Sequence, residues 1–272
     1  MSETHRGDEA PDESRFLAGR HAIVTGGGRG IGAAVASELA RLGASVTIMG
    51  RDLATLESHA AELRSRFGGE VHAAACDVSD DSSVERAFAD ARAALGDPYV
   101  LVNNAGQGVS APLLATTRQA WDRLLAVNLT GTFLCTQQAL PAMLAARAGR
   151  IVNVASTAGV RGYARLAAYS ATKHGVVGLT RATAAEVAKQ GVTVNAVCPG
   201  YVDTDMAQDG IDNLVRALGK SPEEARGMLA RTLPRGTLLA PEEVASVVGW
   251  LCSPAAAGIS GQAIVINGGD AP

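Results

Sequence analysis

Aromatic residues are scarce in this chain, at 4% with only two tryptophans. That scarcity argues against an aromatic-rich β-sandwich, while 31 glycines and 47% hydrophobic residues suit close packing of helices on a sheet. A basic excess is missing too: 24 Lys and Arg against 27 Asp and Glu leave a net charge of −3. Nothing is left over to neutralise a phosphate backbone, so no nucleic-acid partner is expected. No apolar run approaches the roughly 20 residues needed to cross a bilayer, so no membrane partner is expected either. The four cysteines, Cys76, Cys135, Cys198 and Cys252, form no CxxC pair, which points to free core thiols in a reducing, cytoplasmic setting. The five histidines show no ligand spacing, so no protein-built metal site is expected. Met1 to Ser14 mixes charges of both signs with Pro11 and has no apolar core. It reads as a disordered tail rather than a signal peptide. Residues 15–272 then fit one large α/β domain.

What is present is a series of short β-rich runs, each followed by a helical pattern. His21–Thr25 ends in Gly26-Gly-Gly-Arg-Gly-Ile-Gly32, and Ala33 to Leu42 has helical composition with Gly43 as a stop. Strand, glycine turn and helix make a phosphate-binding arrangement: glycine lets the backbone approach a pyrophosphate, and the helix start offers unpaired N–H groups and a positive dipole end. Gly26, Gly28, Arg29, Gly30 and Ile31 are the candidate contacts. The glycines miss the usual GxGxxG register, and a glycine run alone also fits a tight loop.

Ser45–Met49 is a second strand, and Gly50 and Arg51 stand at its tip. A carboxylate there would suit the ribose 2′-OH of NAD, whereas arginine suits the 2′-phosphate of NADP. Arg51 and Arg29 together favour NADP(H) over NAD(H). Asp52 precedes a helical run and reads as its N-cap. Val71–Ala75 gives a third strand before Asp77 and Val78. Asp77 either accepts from an adenine amino group or caps the next helix. Tyr99–Val102 runs into Asn103, Asn104, Ala105 and Gly106, whose adjacent amides need partners and are expected to tie neighbouring loops together.

Arg118 to Ala146 reads as one long helix with Asn128 on an apolar stretch; from the residues alone it is a structural amide bonded to backbone. Ile151–Val154 looks like a buried strand and is followed by Ser156. Tyr169 and Lys173 then share a helix face one turn apart. A free phenol titrates near ~10, and each unit of downward shift takes about 1.4 kcal/mol, which a fixed cation can supply. Such a tyrosine can move a proton to or from an oxygen, although Tyr and Lys at this spacing also meet by chance. Thr193–Val197 before Cys198-Pro199-Gly200, and Ala263–Ile266, complete seven strands. The alternation predicts an α/β fold: a Rossmann-like, doubly wound seven-stranded parallel sheet with helices on both faces and ligands beyond the carboxyl ends.

Thr25-Gly26 with Gly30 and Gly32, Asn103-Asn-Ala-Gly106, Asn128, Ser156, Tyr169 with Lys173, and Pro199-Gly200 together resemble the short-chain dehydrogenase/reductase family. The resemblance spans about Ala18 to Gly269. It implies that Tyr169 exchanges the proton of an alcohol or alkoxide and that Ser156 orients the substrate oxygen. It further implies that Lys173 holds the nicotinamide ribose and lowers the Tyr169 pKa, and that Asn128 fixes a water relaying protons to Lys173. Pro199, Gly200, Val202 and Thr204 lie where the nicotinamide carboxamide would be held, and Asp77, Val78, Asn104, Ala105 and Gly106 where the rest of the dinucleotide would run. Members of the family are mostly homotetramers or homodimers, built here on the helices at Arg118–Ala146 and Tyr169–Lys189.

Asp203 to Ala240 is longer than a connection needs and reads as a substrate lid. The phrasing of Ala168–Gly178 and Val194–Val202 resembles 3-oxoacyl thioester reductases, including polyketide ketoreductases. Arg161, Arg165, Arg226, Arg231 and Arg235 are candidates to guide a phosphopantetheine or CoA phosphate, or are solvated surface. Three functions are carried forward. One is an NADP(H)-dependent reductase of a 3-oxoacyl thioester, another a dehydrogenase of a free secondary alcohol, and the third a dinucleotide sensor without turnover.

Overall fold

A computed structural model describes residues 13–231 and 233–270. Most of the expected tail at 1–14 lies outside these residues, although Glu13–Arg15 forms a 3₁₀ turn. In chain order the main elements are β1 (His21–Thr25), α1 (Gly30–Arg41), β2 (Ser45–Gly50), α2 (Leu53–Phe67), β3 (Val71–Ala75), α3 (Asp81–Leu95) and β4 (Pro98–Asn103). They continue with α4 (Arg118–Leu124), α5 (Gly131–Ala146), β5 (Gly149–Val154), α6 (Ala167–Val187) and β6 (Val192–Pro199). The last are α7 (Asp205–Leu218), α8 (Pro222–Arg231), α9 (Pro241–Leu251) and β7 (Ala263–Ile266).

All seven strands pair in parallel, in the order β3-β2-β1-β4-β5-β6-β7. Both faces of the sheet are covered, and the period-2 pleat sorts the side chains between two cores. Ala22, Val24, Val46, Ile48, Val100, Val102 and Val152 face one core with α1, α2 and α9. Ile23, Met49, Leu101 and Ile151 point the other way, toward α3, α5 and α6. Each fully buried Leu, Ile or Phe contributes about 1.5–3 kcal/mol by leaving water.

The strand order reverses between β1 and β4, so their carboxyl ends splay apart and leave a crevice there. The chain's longest excursion, 203–240, leaves the end of β6 and carries α7 and α8. Its two ends are stitched together: Asp203 N donates to Leu239 O at 2.9 Å and Leu239 N to Tyr201 O at 2.9 Å, with Val202 paired to Leu239.

One helix departs from expectation. The run Arg118–Ala146 is interrupted by a π-helical turn at Leu125–Thr130. A π turn widens the coil by one residue and tends to mark a functional site. Here it delivers Asn128 to a neighbouring loop, while Thr132 and Thr136 donate their hydroxyls to the Asn128 and Thr132 carbonyls at 2.8 and 2.7 Å.

Candidate active site

The crevice is built first by glycine. Gly26 and Gly30 sit at φ +65° and +55°, a region that L side chains rarely enter. Gly32 is excluded from substitution for a different reason, because a Cβ there would lie 2.0 Å from Gly26 O and 2.5 Å from Asn104 Nδ2. Gly28 rests on Thr55 and Leu56 of α2, and Ile31 is half-buried against the core on that side. Arg29 precedes α1 in extended conformation, and among the described residues no side chain caps the helix start. The first N–H groups of α1 therefore remain available to an anion.

Asn104 and Thr25 lock the tips of β4 and β1 together across the crevice. Asn104 Nδ2 donates to Thr25 O and Gly26 O at 3.0 and 3.1 Å, and Thr25 Oγ1 accepts from the N–H groups of Asn104 and Ala105 at 3.0 and 3.1 Å. Asn103 turns inward, donating to Asn153 Oδ1 and Thr136 Oγ1 at 2.8 and 3.1 Å. Asn104 thus ties the two neighbouring loops together as its sequence predicted, whereas Asn103 fastens β4 to β5 and α5.

At the tip of β2, Asp52 is the expected N-cap, accepting from Thr55 N and Oγ1 at 3.2 and 2.8 Å. Arg29 and Arg51 are exposed beside it. Both nearby carboxylates lie below the usual range: hydrogen bonds from Thr55 lower Asp52, with a smaller contribution from the Arg29 charge, and at Asp77 partial burial is outweighed by hydrogen bonds from Ser79 and the charges of Arg123 and Arg51. Arg29 Nη1 also reaches Asp205 at 3.4 Å. Asp77 does not cap α3, which is the task of Asp80; its carboxylate instead accepts from Ser79 N and Oγ at 3.0 and 2.6 Å. The Val78 side chain is buried against Gly131, so any contact it makes in the crevice is through backbone.

The catalytic candidates converge beyond β5 and β6. Ser156 follows β5, where its Oγ accepts from Ala158 N at 3.1 Å. Lys173 Nζ lies 5.7 Å from the centre of the Tyr169 ring and donates to Val154 O at 2.8 Å. The amide of Asn128 is engaged on both sides: Oδ1 accepts from Gln107 N at 2.8 Å, and Nδ2 donates to Gln107 O at 2.9 Å and Thr172 Oγ1 at 3.1 Å. The amide thus bonds both the Gln107 backbone and the Thr172 side chain. Gly106 lies between Asn128 and Lys173, since a Cβ there would sit 3.4 Å from Asn128 Oδ1 and 3.5 Å from Lys173 Nζ.

Electrostatically, the pair differs from expectation. Burial lowers the Lys173 pKa to about 8, partly opposed by Cys198. Burial also pushes the Tyr169 phenol up, with a hydrogen bond to the Ser156 side chain pulling the other way. Spacing alone had suggested that Lys173 depresses Tyr169. In this protein the loss of hydration sets the direction for Tyr169, and the ammonium is engaged with the Val154 carbonyl.

Pro199 ends β6, and Gly200 N donates to Ile266 O at 2.8 Å. Val202 is buried at the root of the excursion. Thr204 leads into α7, and its methyl comes within 3.2 Å of where a Gly30 Cβ would be, so the excursion starts directly over the glycine turn. Three of the five candidate phosphate-guiding arginines are taken by carboxylates: Arg161 by Asp270, Arg226 by Asp203, and Arg235 by Glu243 at 2.6 Å. Arg165 and Arg231 remain exposed. Sequence reasoning passed over Gln107 and Thr172. The available signal for Thr172 was a polar residue directly preceding Lys173, on the helix turn that also carries Tyr169.

Residues 20–214 match the family described as short chain dehydrogenase. The chain belongs to the short chain dehydrogenases. Relatives agree over nearly the whole length. A 3-oxoacyl-(acyl-carrier-protein) reductase FabG of Aquifex aeolicus is 38% identical over 93% of this chain and 98% of its own. The 2-(S)-hydroxypropyl-CoM dehydrogenase 3 of Xanthobacter autotrophicus is 39% identical over 90% and 94%. Among solved structures, a tryptophan-substituted actinorhodin polyketide ketoreductase with NADPH superposes at a TM-score of 0.89, with 39% identity over 92% of this chain and 96% of that one. As a short chain dehydrogenase the protein is an oxidoreductase, and its doubly wound sheet is the family's fold.

Proposed function

We propose that this short chain dehydrogenase is an NADP(H)-dependent reductase of a 3-oxoacyl thioester or a similar β-keto compound. The observation that carries the reading is the convergence of Ser156, Tyr169, Lys173 and Asn128 beside an uncapped helix start and a glycine turn. The kinship with a 3-oxoacyl reductase and a polyketide ketoreductase supports the substrate class.

The dinucleotide fits the residues present. Glycine shapes the turn, Gly26 and Gly30 through positive φ and Gly32 through its close packing on Gly26, the N–H groups of α1 suit a pyrophosphate, and the exposed guanidinium groups of Arg29 and Arg51 suit a 2′-phosphate. Asp77, Val78, Asn104, Ala105 and Gly106 would line its course, and Pro199, Gly200, Val202 and Thr204 its far end. When bound, the nicotinamide supplies the hydride to the carbonyl carbon. Ser156 orients the carbonyl oxygen, and Tyr169 hands it the proton that completes the alcohol. The raised Tyr169 pKa suits this direction, since the phenol remains a proton donor through neutral pH. Lys173 holds the ribose hydroxyls, and Asn128 fixes the water that restores the proton.

In this reading the excursion at 203–240 is a lid, and the chain works in the cytoplasm with its four buried thiols free. It assembles as a homotetramer or homodimer on α5 and α6, a reading that the half-exposed Phe133 on α5 supports. A second reading, a dehydrogenase of a free secondary alcohol, draws on the pairing of Arg161, Arg226 and Arg235, which leaves fewer cations for a CoA phosphate. A panel of acetoacetyl-CoA, a bicyclic ketone and simple aryl ketones, each with NADPH and NADH, separates the two. Turnover of free alcohols alone, with NAD, would sink the first reading.

A further inference from the structure

Thr172 lies on α6 between Tyr169 and Lys173 and is 1% exposed. Its Oγ1 donates to Tyr169 O at 2.8 Å and accepts from Asn128 Nδ2 at 3.1 Å. A hydroxyl has one proton, so committing it to the Tyr169 carbonyl turns a lone pair toward Asn128. That choice fixes the Asn128 amide: its NH₂ must face Thr172 and Gln107 O, which leaves Oδ1 facing Gln107 N and the Gly106 position beside Lys173. The Thr172 hydroxyl and the Asn128 amide are both buried, and each of their polar atoms has a partner.

The same device recurs twice deeper in the protein. Thr136 accepts from Asn103 and donates to Thr132 O, and Thr180 accepts from Asn153 and donates to Val176 O. Those two pairs fasten helices to strands. Thr172 instead fastens the π-helical turn, and through Gln107 the loop after β4, to the turn of α6 that bears Tyr169 and Lys173.

We infer that Thr172 is a positioning residue for the reaction: its hydroxyl sets the placement of Asn128 relative to Tyr169 and Lys173. The inference rests on the assignment of those three residues to the chemistry. Thr172→Val keeps the shape and removes the hydroxyl, while Thr172→Ser restores it. Misplacement by a fraction of an ångström in a reacting constellation slows turnover on the order of tenfold or more.

The test measures kcat and KM of acetoacetyl-CoA reduction, NADPH affinity, and amide hydrogen exchange across 105–108 and 125–130, for wild type and both variants. The expected result is a fall in kcat of about tenfold for Thr172→Val with NADPH affinity within about twofold of wild type. Faster exchange at Gln107 should accompany it, and Thr172→Ser should return both to wild-type values. A wild-type kcat in Thr172→Val, a serine variant as slow as the valine one, or equal losses of kcat and NADPH affinity would each overturn the inference. Should the wild type reduce no ketone of the panel, the proposed function fails on its own. Exchange then decides the tether: a valine-specific rise at Gln107 supports it, and an unchanged pattern refutes it.

Discussion

Replacing Lys173 by Met should change how stability depends on pH in a way that reports the buried charge directly. Lys173 is 5% exposed, and its pKa falls from 10.5 to about 8 through loss of hydration. At about 1.4 kcal/mol per pKa unit, keeping this ammonium in the interior costs on the order of 3 kcal/mol. The sign follows from proton counting. Below pH 8 the native and unfolded chains both carry the proton, and the full cost is present. Between about 8 and 10.5 the native chain releases the proton while the unfolded chain keeps it, so stability rises with pH. Above 10.5 both are neutral and the cost is gone. Lys173→Met lacks this titration, so the stability of wild type relative to the variant should rise by about 3 kcal/mol from pH 7 to about 10.5. The lost bond to Val154 O shifts the variant by an amount nearly independent of pH, so the slope is the diagnostic quantity. The assay is urea unfolding at a series of pH values and one protein concentration, with Cys198→Ala in both proteins to remove the thiol that opposes the shift. Parallel stability curves for the two proteins would refute the reasoning.

Tyr169→Phe should abolish reduction while leaving NADPH binding by fluorescence titration nearly intact; retained turnover would remove the proton-transfer role. Arg29→Ala together with Arg51→Ala should weaken NADPH far more than NADH, and equal losses would discard the 2′-phosphate argument. Gly32→Ala forces a methyl onto Gly26 O, so it should cost dinucleotide affinity or soluble expression; a well-folded variant that binds normally would contradict the close packing of turn and helix. Cys76, Cys135, Cys198 and Cys252 are all buried, with pKa values raised by burial. A colourimetric thiol reagent should find none of them in the native protein and all four in denaturant; rapid native labelling would count against the described core.

Much of this protein was legible in its sequence because local rules decide it. The β-branched runs became strands within a residue or two, glycine marked the turn that only positive φ permits, and Asp52 capped α2 as a carboxylate ahead of a helical run does. The spacing of Tyr169 and Lys173 placed both on one side of α6. These features depend on neighbours a few residues apart, and the chain carries that information directly.

What only the tertiary structure decided involves groups far apart in sequence or the balance between burial and charge. The π-helical turn carries Asn128 to Gln107 and to Thr172, the latter 44 residues away. The pairing of Arg161 with Asp270 joins positions 109 apart, so the chain alone could not reveal that this cation was already taken. Spacing also suggested that Lys173 draws the Tyr169 pKa down. Hydration, however, is lost only once the fold encloses Lys173 and partly covers Tyr169, and that loss sets the direction for each.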